Sequence, residues 1–348
     1  MTASLARRES SPVSLPQPYL LFLGDVTEAG FAKTAFGLKD WAADLCVGEL
    51  ACSSDAVTTG LTRMTPKKAY VRGARAMVIG VANPGGVIKP SWMPSLLDAL
   101  EAGLDLIAGM HARLEDAPEL KAAAERYGRK LIDVRRPPAG IPIATGRKRT
   151  GKRLLTVGTD CAIGKKYTAL ALAAAFKARG VGADFRASGQ TGIMIAGGGV
   201  PMDAVVSDFE AGAAEILSPD AAPDHWDVIE GQGSLSHPAY AAVSLGLLHG
   251  SQPDVVVLCH EPGRERLLGF PEFRTPSLID AIAVNLQMGA LTNPNIRCGG
   301  VSFNTSALTQ QEAEVLMAVA STALSLPVAD PLRGGPAFER LVDNCLAP

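Results

Sequence analysis

The stretch that decides the fold of the second half of the chain is GTDCAIGKKYTA, which runs from Gly158 to Ala169. It follows an apolar run, RLLTV, and precedes a helical pattern that ends at Gly180. A glycine-rich turn between a strand and a helix, with a lysine at the helix start, is typical of loops that bind phosphate groups. We therefore predict a phosphate-binding loop here; the alternative is a strand–helix turn that binds nothing.

The loop departs from the usual pattern G-x-x-x-x-G-K-[ST] at two places. Five residues instead of four separate Gly158 from Gly164, and Lys166 stands where a hydroxyl would hold Mg²⁺. Loss of that hydroxyl argues against cleavage of a triphosphate, whereas two lysines suit a diphosphate that stays intact, such as that of coenzyme A. We predict that this group binds without a metal ion, at Gly158, Thr159, Asp160, Cys161, Ala162, Ile163, Gly164, Lys165, Lys166 and Tyr167.

Composition limits the classes of function. The chain has 348 residues, a formal net charge of −2 and a pI near 6.2, so we expect neither a nucleic-acid partner nor a membrane partner. The six cysteines show no C-x-x-C spacing, which favours a reducing cytoplasm over a disulfide framework or a zinc site. Residues 1–17 are polar and rich in Ser and Pro, and we predict a disordered tail there.

Short apolar runs alternate with helical patterns, which predicts two α/β domains built on parallel sheets. We place the first domain at residues 18–140, a linker at 141–152 and the second domain at 153–348. YLLFLG (Tyr19–Gly24) is a predicted strand of the first domain, whose later helices are expected to be capped by Ser91 and Asp116. In the second domain, Thr309 and Glu312 predict a capping box.

A basic segment, Arg147–Arg153, holds five arginines and lysines just before the first strand of the second domain. Two interpretations stay open. The segment is a solvated linker, or its charges meet the 3′-phosphate of coenzyme A.

A second group of polar residues follows another apolar strand, in WDVIEGQGSLSHPAY (Trp226–Tyr240). Ligands of parallel sheets lie beyond the carboxyl ends of the strands, so Glu230 is expected to face the phosphate-binding loop. There it could act as a general base; the alternative is a glutamate that caps a helix. His237 is a reserve base, or a residue that packs or caps.

Five segments together resemble one family, whose characterised members are D-glutamate N-acetyltransferases. They are LTVGTDCAIGKKYTALAL, FRASGQTGIMIAG, DAVVSDFEAGAAE, VIEGQGSLSHPAY and, in the first half, AKTAFGL. The resemblance covers about residues 19–345. It implies a Rossmann-like parallel sheet followed by a P-loop NTPase-like parallel sheet, and transfer of an acetyl group from acetyl-CoA to the amine of D-glutamate in D-amino-acid catabolism.

That reaction needs a base and ligands for two substrate carboxylates. We predict Glu230 as the base, with His237 and Asp208 in reserve. The predicted substrate-binding residues are Gln190, Thr191, Ser234, Arg264 and Lys33, with Arg186 as a further candidate.

Three competing functions remain. An ATP-dependent ligase or kinase would fit the likeness of the loop to that of dethiobiotin synthetase. A nicotinamide oxidoreductase would need a G-x-G-x-x-G turn, which the first half lacks. A nucleotide-sensing module would bind its ligand without turnover.

We expect a homo-oligomer, specifically a symmetric dimer.

Overall fold

The structure is a computed structural model that describes residues 13–81 and 86–347. Most of the predicted tail, residues 1–12, lies outside the described residues. Residues 13–17 are ordered, contrary to prediction, because a short strand begins at Val13. The chain forms two compact units: Val13–Pro137 with Gln190–Pro201, and Pro138–Gly189 with residues 202–347. We call them the N-terminal unit and the P-loop unit.

The N-terminal unit is built on a five-stranded parallel sheet with the order β3-β2-β4-β5-β6. Every residue of β2, β4 and β5 is buried, as expected for strands covered on both faces. The elements are β1 Val13–Ser14, β2 Tyr19–Gly24, α1 Lys33–Trp41, β3 Cys46–Ala51, α2 Pro66–Val71, β4 Ala76–Ile79, α3 Met93–Glu101, β5 Asp105–Ala108, α4 Pro118–Tyr127 and β6 Leu131–Asp133.

The P-loop unit is built on a six-stranded parallel sheet with the order β15-β14-β11-β7-β10-β8. The elements from here on are β7 Lys152–Gly158, α5 Lys165–Ala178, β8 Ala183–Arg186, α6 Gln190–Ala196, β9 Gly198–Gly199, α7 Glu210–Leu217, β10 Trp226–Ile229, α8 Ala241–Ser251, β11 Val255–His260, β12 Arg266–Leu267, β13 Phe270–Arg274, α9 Leu278–Ala290, β14 Arg297–Phe303, α10 Gln310–Leu324, β15 Val328–Ala329 and α11 Gly335–Leu346. The two predicted parallel sheets are therefore present.

One segment from the second half of the sequence, Gln190–Pro201, belongs to the N-terminal unit. Helix α6 packs on α1, where the hydroxyl oxygens of Thr34 and Thr191 lie 3.3 Å apart. The buried Tyr19 hydroxyl donates a hydrogen bond to the Met194 carbonyl at 3.0 Å, and β9 pairs with β1. No sequence pattern predicted this crossing.

One of the predicted helix caps is present in the structure and two are not. The capping box of α10 is present: the Thr309 hydroxyl accepts from the Glu312 N–H, and the Glu312 carboxylate accepts from the Thr309 N–H. Ser91 and Asp116 are not caps, because α3 and α4 begin later, at Met93 and Pro118. Each of these helices has a proline in its first turn, where the ring costs no hydrogen bond.

The basic segment is only partly solvated, because Arg147, Lys148 and Lys152 are exposed and the other two arginines are not. It lies at the amino end of β7, whereas the loop follows the carboxyl end of that strand, so the structure does not favour a contact between its charges and the 3′-phosphate. Arg149 and Arg153 are buried, and their guanidinium groups donate to backbone carbonyls, including Ser218 O, Gly250 O and Pro219 O at 2.7–2.9 Å. Residues 141–152 are therefore an integral part of the P-loop unit.

Within the described residues, no helix combines the length and the apolar character that a membrane crossing requires.

Candidate functional site

The phosphate-binding loop connects β7 to α5 and contains two left-handed residues. These are Ala162, with φ 53°, and Gly164, with φ 105°. Left-handed positions turn backbone N–H groups towards one side, which is how loops form anion-binding concavities. The first turn of α5 then adds N–H groups that have no partner within the helix. The backbone of the loop therefore has the features of an anion site.

Lys165 begins α5 and folds back over the loop. It is buried, and its ammonium donates to the Asp160 carbonyl at 2.7 Å. A Cβ at Gly158 would lie 2.7 Å from Ile163 Cδ1 and 3.2 Å from Lys165 Nζ, so a larger residue there would force these two side chains to shift. Burial lowers the pKa of Lys165, and a bound anion would favour its charged form.

The buried Asp160 side chain stabilises the loop by accepting hydrogen bonds from three groups. One carboxylate oxygen accepts from the Cys161 N–H at 2.6 Å, and the other accepts from Arg264 Nη1 at 3.0 Å and from the Leu268 N–H at 2.8 Å. Arg264 also donates to Glu261 at 2.7 Å. The predicted role of Arg264 as a substrate ligand does not fit this geometry, because two carboxylates of the chain already hold its guanidinium.

His237 is packed rather than open. Its ring stacks on Tyr240 at 4.7 Å and meets the edge of Phe270 at 5.0 Å. Nδ1 accepts from the Ala239 N–H, and Nε2 lies 3.3 Å from the Leu268 carbonyl. A neutral ring with the proton on Nε2 satisfies both contacts. The packing interpretation of His237 therefore fits the geometry better than the role of reserve base.

Asp160, Cys161 and His237 are the one group of three that could hold a metal ion among residues 13–81 and 86–347, with potential ligand atoms within 4.8 Å of one another. Their bonding does not suit a cation. Both oxygens of Asp160 already accept N–H donors, and the Arg264 guanidinium adds a positive charge beside them. Burial also raises the pKa of the Cys161 thiol, so the thiol is neither an activated nucleophile nor a ready metal ligand.

Glu230 follows β10, the strand next to β7, and lies at the carboxyl end of the sheet. It is buried, and one carboxylate oxygen accepts from the N–H groups of Ser188 and Gly189 at 3.0 and 3.1 Å. Burial raises the pKa of Glu230 from 4.5 to about 7, against the opposing effects of Lys166, the two N–H donors and Lys165. A carboxyl that titrates near neutral pH can accept and return a proton there.

Gly231 explains how Glu230 approaches the loop. A Cβ at this position would lie 1.6 Å from the Thr156 carbonyl of β7, so β10 can end this close to β7 only with glycine. The Gly231 N–H donates to the Thr156 hydroxyl at 2.9 Å. The acid and the phosphate-binding loop are thus held side by side by the backbone.

Thr168 does not replace the missing magnesium ligand. Its hydroxyl donates to the Gly164 carbonyl at 3.1 Å and lies 2.8 Å from the Ser302 hydroxyl. The ammonium of Lys166, which stands at the usual ligand position, lies 4.6 Å from the centre of the Tyr167 ring. The described residues of the loop therefore offer cationic and N–H groups rather than oxygen ligands for Mg²⁺.

The remaining predicted residues are spread over both units. Ser234 is buried close to the loop, and its oxygen accepts from the Ser236 N–H at 3.3 Å. Asp208 lies on an exposed turn, and Arg186 is paired with Asp227 at 2.7 Å. Gln190, Thr191 and the exposed Lys33 belong to the N-terminal unit, and their roles stay predictions.

Sequence reasoning missed Ser188 and Gly189, which follow β8 and donate to Glu230. The sequence shows a polar segment after each of the strands β8 and β10, but only the structure shows that these strands are parallel neighbours, with Arg186 opposite Ile229. Carboxyl ends of neighbouring parallel strands meet at one edge of the sheet, which brings the two segments together.

Comparisons with known proteins agree with this architecture. Residues 142–342 match the family model described as "Domain of unknown function (DUF1611_C) P-loop domain", and residues 46–137 match "Domain of unknown function (DUF1611_N) Rossmann-like domain". The predicted fold class, a Rossmann-like sheet followed by a P-loop sheet, is confirmed.

Two relatives and one crystal structure align with nearly the whole chain. A D-glutamate N-acetyltransferase of Tritonibacter scottomollicae is 49% identical over 95% of this chain and 98% of its own. A protein with the same name from a Pseudoalteromonas species is 46% identical over 93% and 97%. The crystal structure of a DUF1611 family protein from Anabaena variabilis has a TM-score of 0.83 and 32% identity, and covers 95% of this chain and 99% of its own. The chain therefore belongs to the DUF1611 family, together with proteins named D-glutamate N-acetyltransferase.

Proposed function

We propose that the protein is an acyltransferase that moves an acetyl group from acetyl-CoA to the amine of D-glutamate. Two relatives that share 46–49% of their residues with nearly the whole chain carry the name of this activity. The observation in the structure that supports it best is a buried carboxyl of pKa about 7 beside an anion-binding loop without a magnesium ligand. Such a site suits proton transfer next to an intact diphosphate.

The loop fits the diphosphate of acetyl-CoA. The left-handed residues Ala162 and Gly164 and the start of α5 supply N–H groups, and Lys165 and Lys166 supply positive charge. Charged donors bind phosphate oxygens more strongly than neutral ones do. Acetyl-CoA supplies the activated thioester, and the residues of the chain bind it and transfer the protons.

Glu230 is the proposed base. The substrate amine is an ammonium ion at neutral pH, and its proton passes to the Glu230 carboxylate. The freed nitrogen then attacks the thioester carbonyl, a C–N bond forms, and the C–S bond breaks. The thiolate of coenzyme A leaves with the electron pair and takes up the second proton that the nitrogen releases after attack, while Glu230 returns the first proton to solvent. No covalent intermediate with the enzyme is needed.

The alternative of an ATP-dependent ligase or kinase is not favoured. Mg²⁺-dependent phosphoryl transfer at such a loop uses a hydroxyl ligand that Lys166 replaces, and Thr168 is committed to other partners. A role in D-amino-acid catabolism, a cytoplasmic location and a symmetric dimer are further parts of the proposal, and light scattering in solution would test the dimer.

The direct experiment mixes the purified protein with acetyl-CoA and either D- or L-glutamate and follows free thiol with a colour reagent. Release that depends on D-glutamate, together with N-acetyl-D-glutamate in the mass spectrum, is the expected result. Thiol release without an acetylated amino acid, or equal rates for the two enantiomers, would contradict the proposal. ATP with Mg²⁺ in place of acetyl-CoA serves as the comparison for the ligase alternative.

A further inference from the structure

A cavity of about 250 Å³ lies beside the phosphate-binding loop in the P-loop unit. One wall is the loop itself with the start of α5, and the other wall is formed by the segments that follow β14 and β15. Its lining includes Gly164, Tyr167, Phe303, Asn304, Asp330 and Leu332. The loop wall of the cavity, with Ala162 and Gly164, also belongs to the proposed diphosphate site, whereas the wall after β14 and β15 has no role in the mechanism above.

The cavity and Glu230 lie on opposite sides of the loop. In the sheet order β14-β11-β7-β10, Asn304 follows β14 and Glu230 follows β10, while the loop follows β7. Three strand spacings of about 4.8 Å separate β14 from β10, which is roughly 14 Å. A molecule that binds the loop by a central diphosphate can therefore extend one arm towards Glu230 and the other into the cavity.

The lining of the cavity suits a purine base. The half-buried Tyr167 contributes aromatic surface to the lining, on which bases stack, and the Phe303 ring lies buried beneath the cavity, where it packs on His260. The half-buried Asn304 presents an amide whose oxygen accepts from the Ser306 N–H at a long 3.3 Å. An asparagine amide can pair with both N6 and N7 of adenine, and this pair is one of the base contacts that discriminate adenine.

We propose that this cavity binds the adenine nucleoside end of coenzyme A, with Asn304 as the residue that recognises adenine. The inference rests on the proposed function in one respect: the acetyl group must point to Glu230, so the adenosine end takes the other side. The loop then holds the diphosphate between the two ends.

Asn304→Leu tests adenine recognition. The probes are ADP and inosine diphosphate, which differ at position 6 of the purine, and calorimetry measures their binding to the wild-type protein and the variant. We expect the wild-type protein to bind ADP about ten-fold more tightly than inosine diphosphate, and the variant to lose that preference. The only hydrogen bond of the Asn304 side chain that the structure gives is the long one to Ser306, so we expect the variant to fold.

Leu332→Trp tests the cavity without touching Asn304. Leu332 is 61% exposed at the edge of the cavity, and Val319, which is 62% exposed on α10, provides a matched control. Leu332→Trp is expected to weaken the binding of both ADP and acetyl-CoA by at least ten-fold, because the indole fills space that the base needs. Val319→Trp is expected to leave both affinities unchanged.

The outcomes separate this inference from the proposed function. If acetyl-CoA and D-glutamate give no thiol release, yet ADP binds with a preference that Asn304→Leu removes, the proposed function fails and the cavity assignment stands. If acetyl transfer proceeds but both variants bind ADP and acetyl-CoA as the wild-type protein does, the cavity assignment is overturned. Failure of ADP to bind the wild-type protein would also overturn it.

Discussion

The two ends of strand β7 carry clusters of positive charge that the fold uses in different ways. At the amino end, the buried guanidinium groups of Arg149 and Arg153 donate mainly to backbone carbonyls, and among the described residues Arg149 Nη1 and Arg153 Nε have no hydrogen-bond partner. At the carboxyl end, about 20 Å away by strand geometry, Lys165 and Lys166 begin a helix beside left-handed loop residues. From this difference we expect that position on the sheet, rather than density of charge, decides which cluster binds an anion.

Glu230→Gln, at the carboxyl end, is expected to have the largest effect. Loss of the base should lower kcat by 10²–10⁴-fold, the usual contribution of general base catalysis, while the affinity for acetyl-CoA is kept. Because the carboxylate is the active form, the wild-type rate should fall as pH drops below about 7, and the variant should lack that dependence. Steady-state rates from pH 5.5 to 8.5 measure both effects, and an unchanged kcat would remove Glu230 from the mechanism.

Lys165→Ala tests the anion site at the same end. We expect acetyl-CoA to bind at least about 30-fold more weakly, since removal of a buried charge partner typically costs about 2–5 kcal/mol. Lys177→Ala is the matched control, because Lys177 lies at the other end of α5 with a side chain that is 58% exposed. Calorimetry with acetyl-CoA compares the two variants, and equal affinities would show that the loop does not hold the diphosphate.

Arg149→Met tests the amino end of β7. Removal of the guanidinium leaves buried carbonyls such as Ser218 O and Gly250 O without their donor, which should lower the free energy of unfolding by about 3 kcal/mol. The affinity for acetyl-CoA should not change. Arg147→Met is the control, because the side chain of Arg147 is 62% exposed and surface ion pairs contribute about 1 kcal/mol at most. Urea unfolding measures stability; weaker binding of acetyl-CoA by folded Arg149→Met would restore an anion-binding role to this end.

Lys166→Met is expected to have the smallest effect on activity. It tests whether the charge of Lys166 lowers the pKa of Glu230. Lys166 makes the largest of the contributions that lower the pKa of Glu230, so its removal should move the midpoint of the pH–rate profile upwards. The measurement is kcat as a function of pH at saturating acetyl-CoA. A midpoint that stays in place or moves down would show that Lys166 does not act on Glu230.

The main parts of the site could be read from the sequence because local patterns encode them. A glycine-rich turn between a strand and a helix marked the loop, and the end of an apolar strand marked Glu230. The capping box of Thr309 and Glu312 is also a local pattern, and it is present. Such features depend on a few neighbouring residues, so short stretches suffice to predict them.

Features that depend on contacts between distant residues were missed. The partners of Arg149 come from residues about 70 and 100 positions away, and those of Asp160 from a hairpin more than 100 positions away. In the sequence, an arginine that donates to backbone carbonyls or to a buried aspartate cannot be told from an arginine that binds a substrate. Only the fold distinguishes them, which is why the sequence did not reveal the partners of Arg264, Arg149 and Arg153.

Because Gln190–Pro201 belongs to the N-terminal unit, that unit cannot be expressed as one continuous stretch of the first half of the chain. A gene fragment that stops at Pro137 encodes β1 without its partner β9 and α1 without α6. Such a fragment would present unpaired backbone and apolar surface, and we expect it to be insoluble unless residues 190–201 are supplied as a peptide.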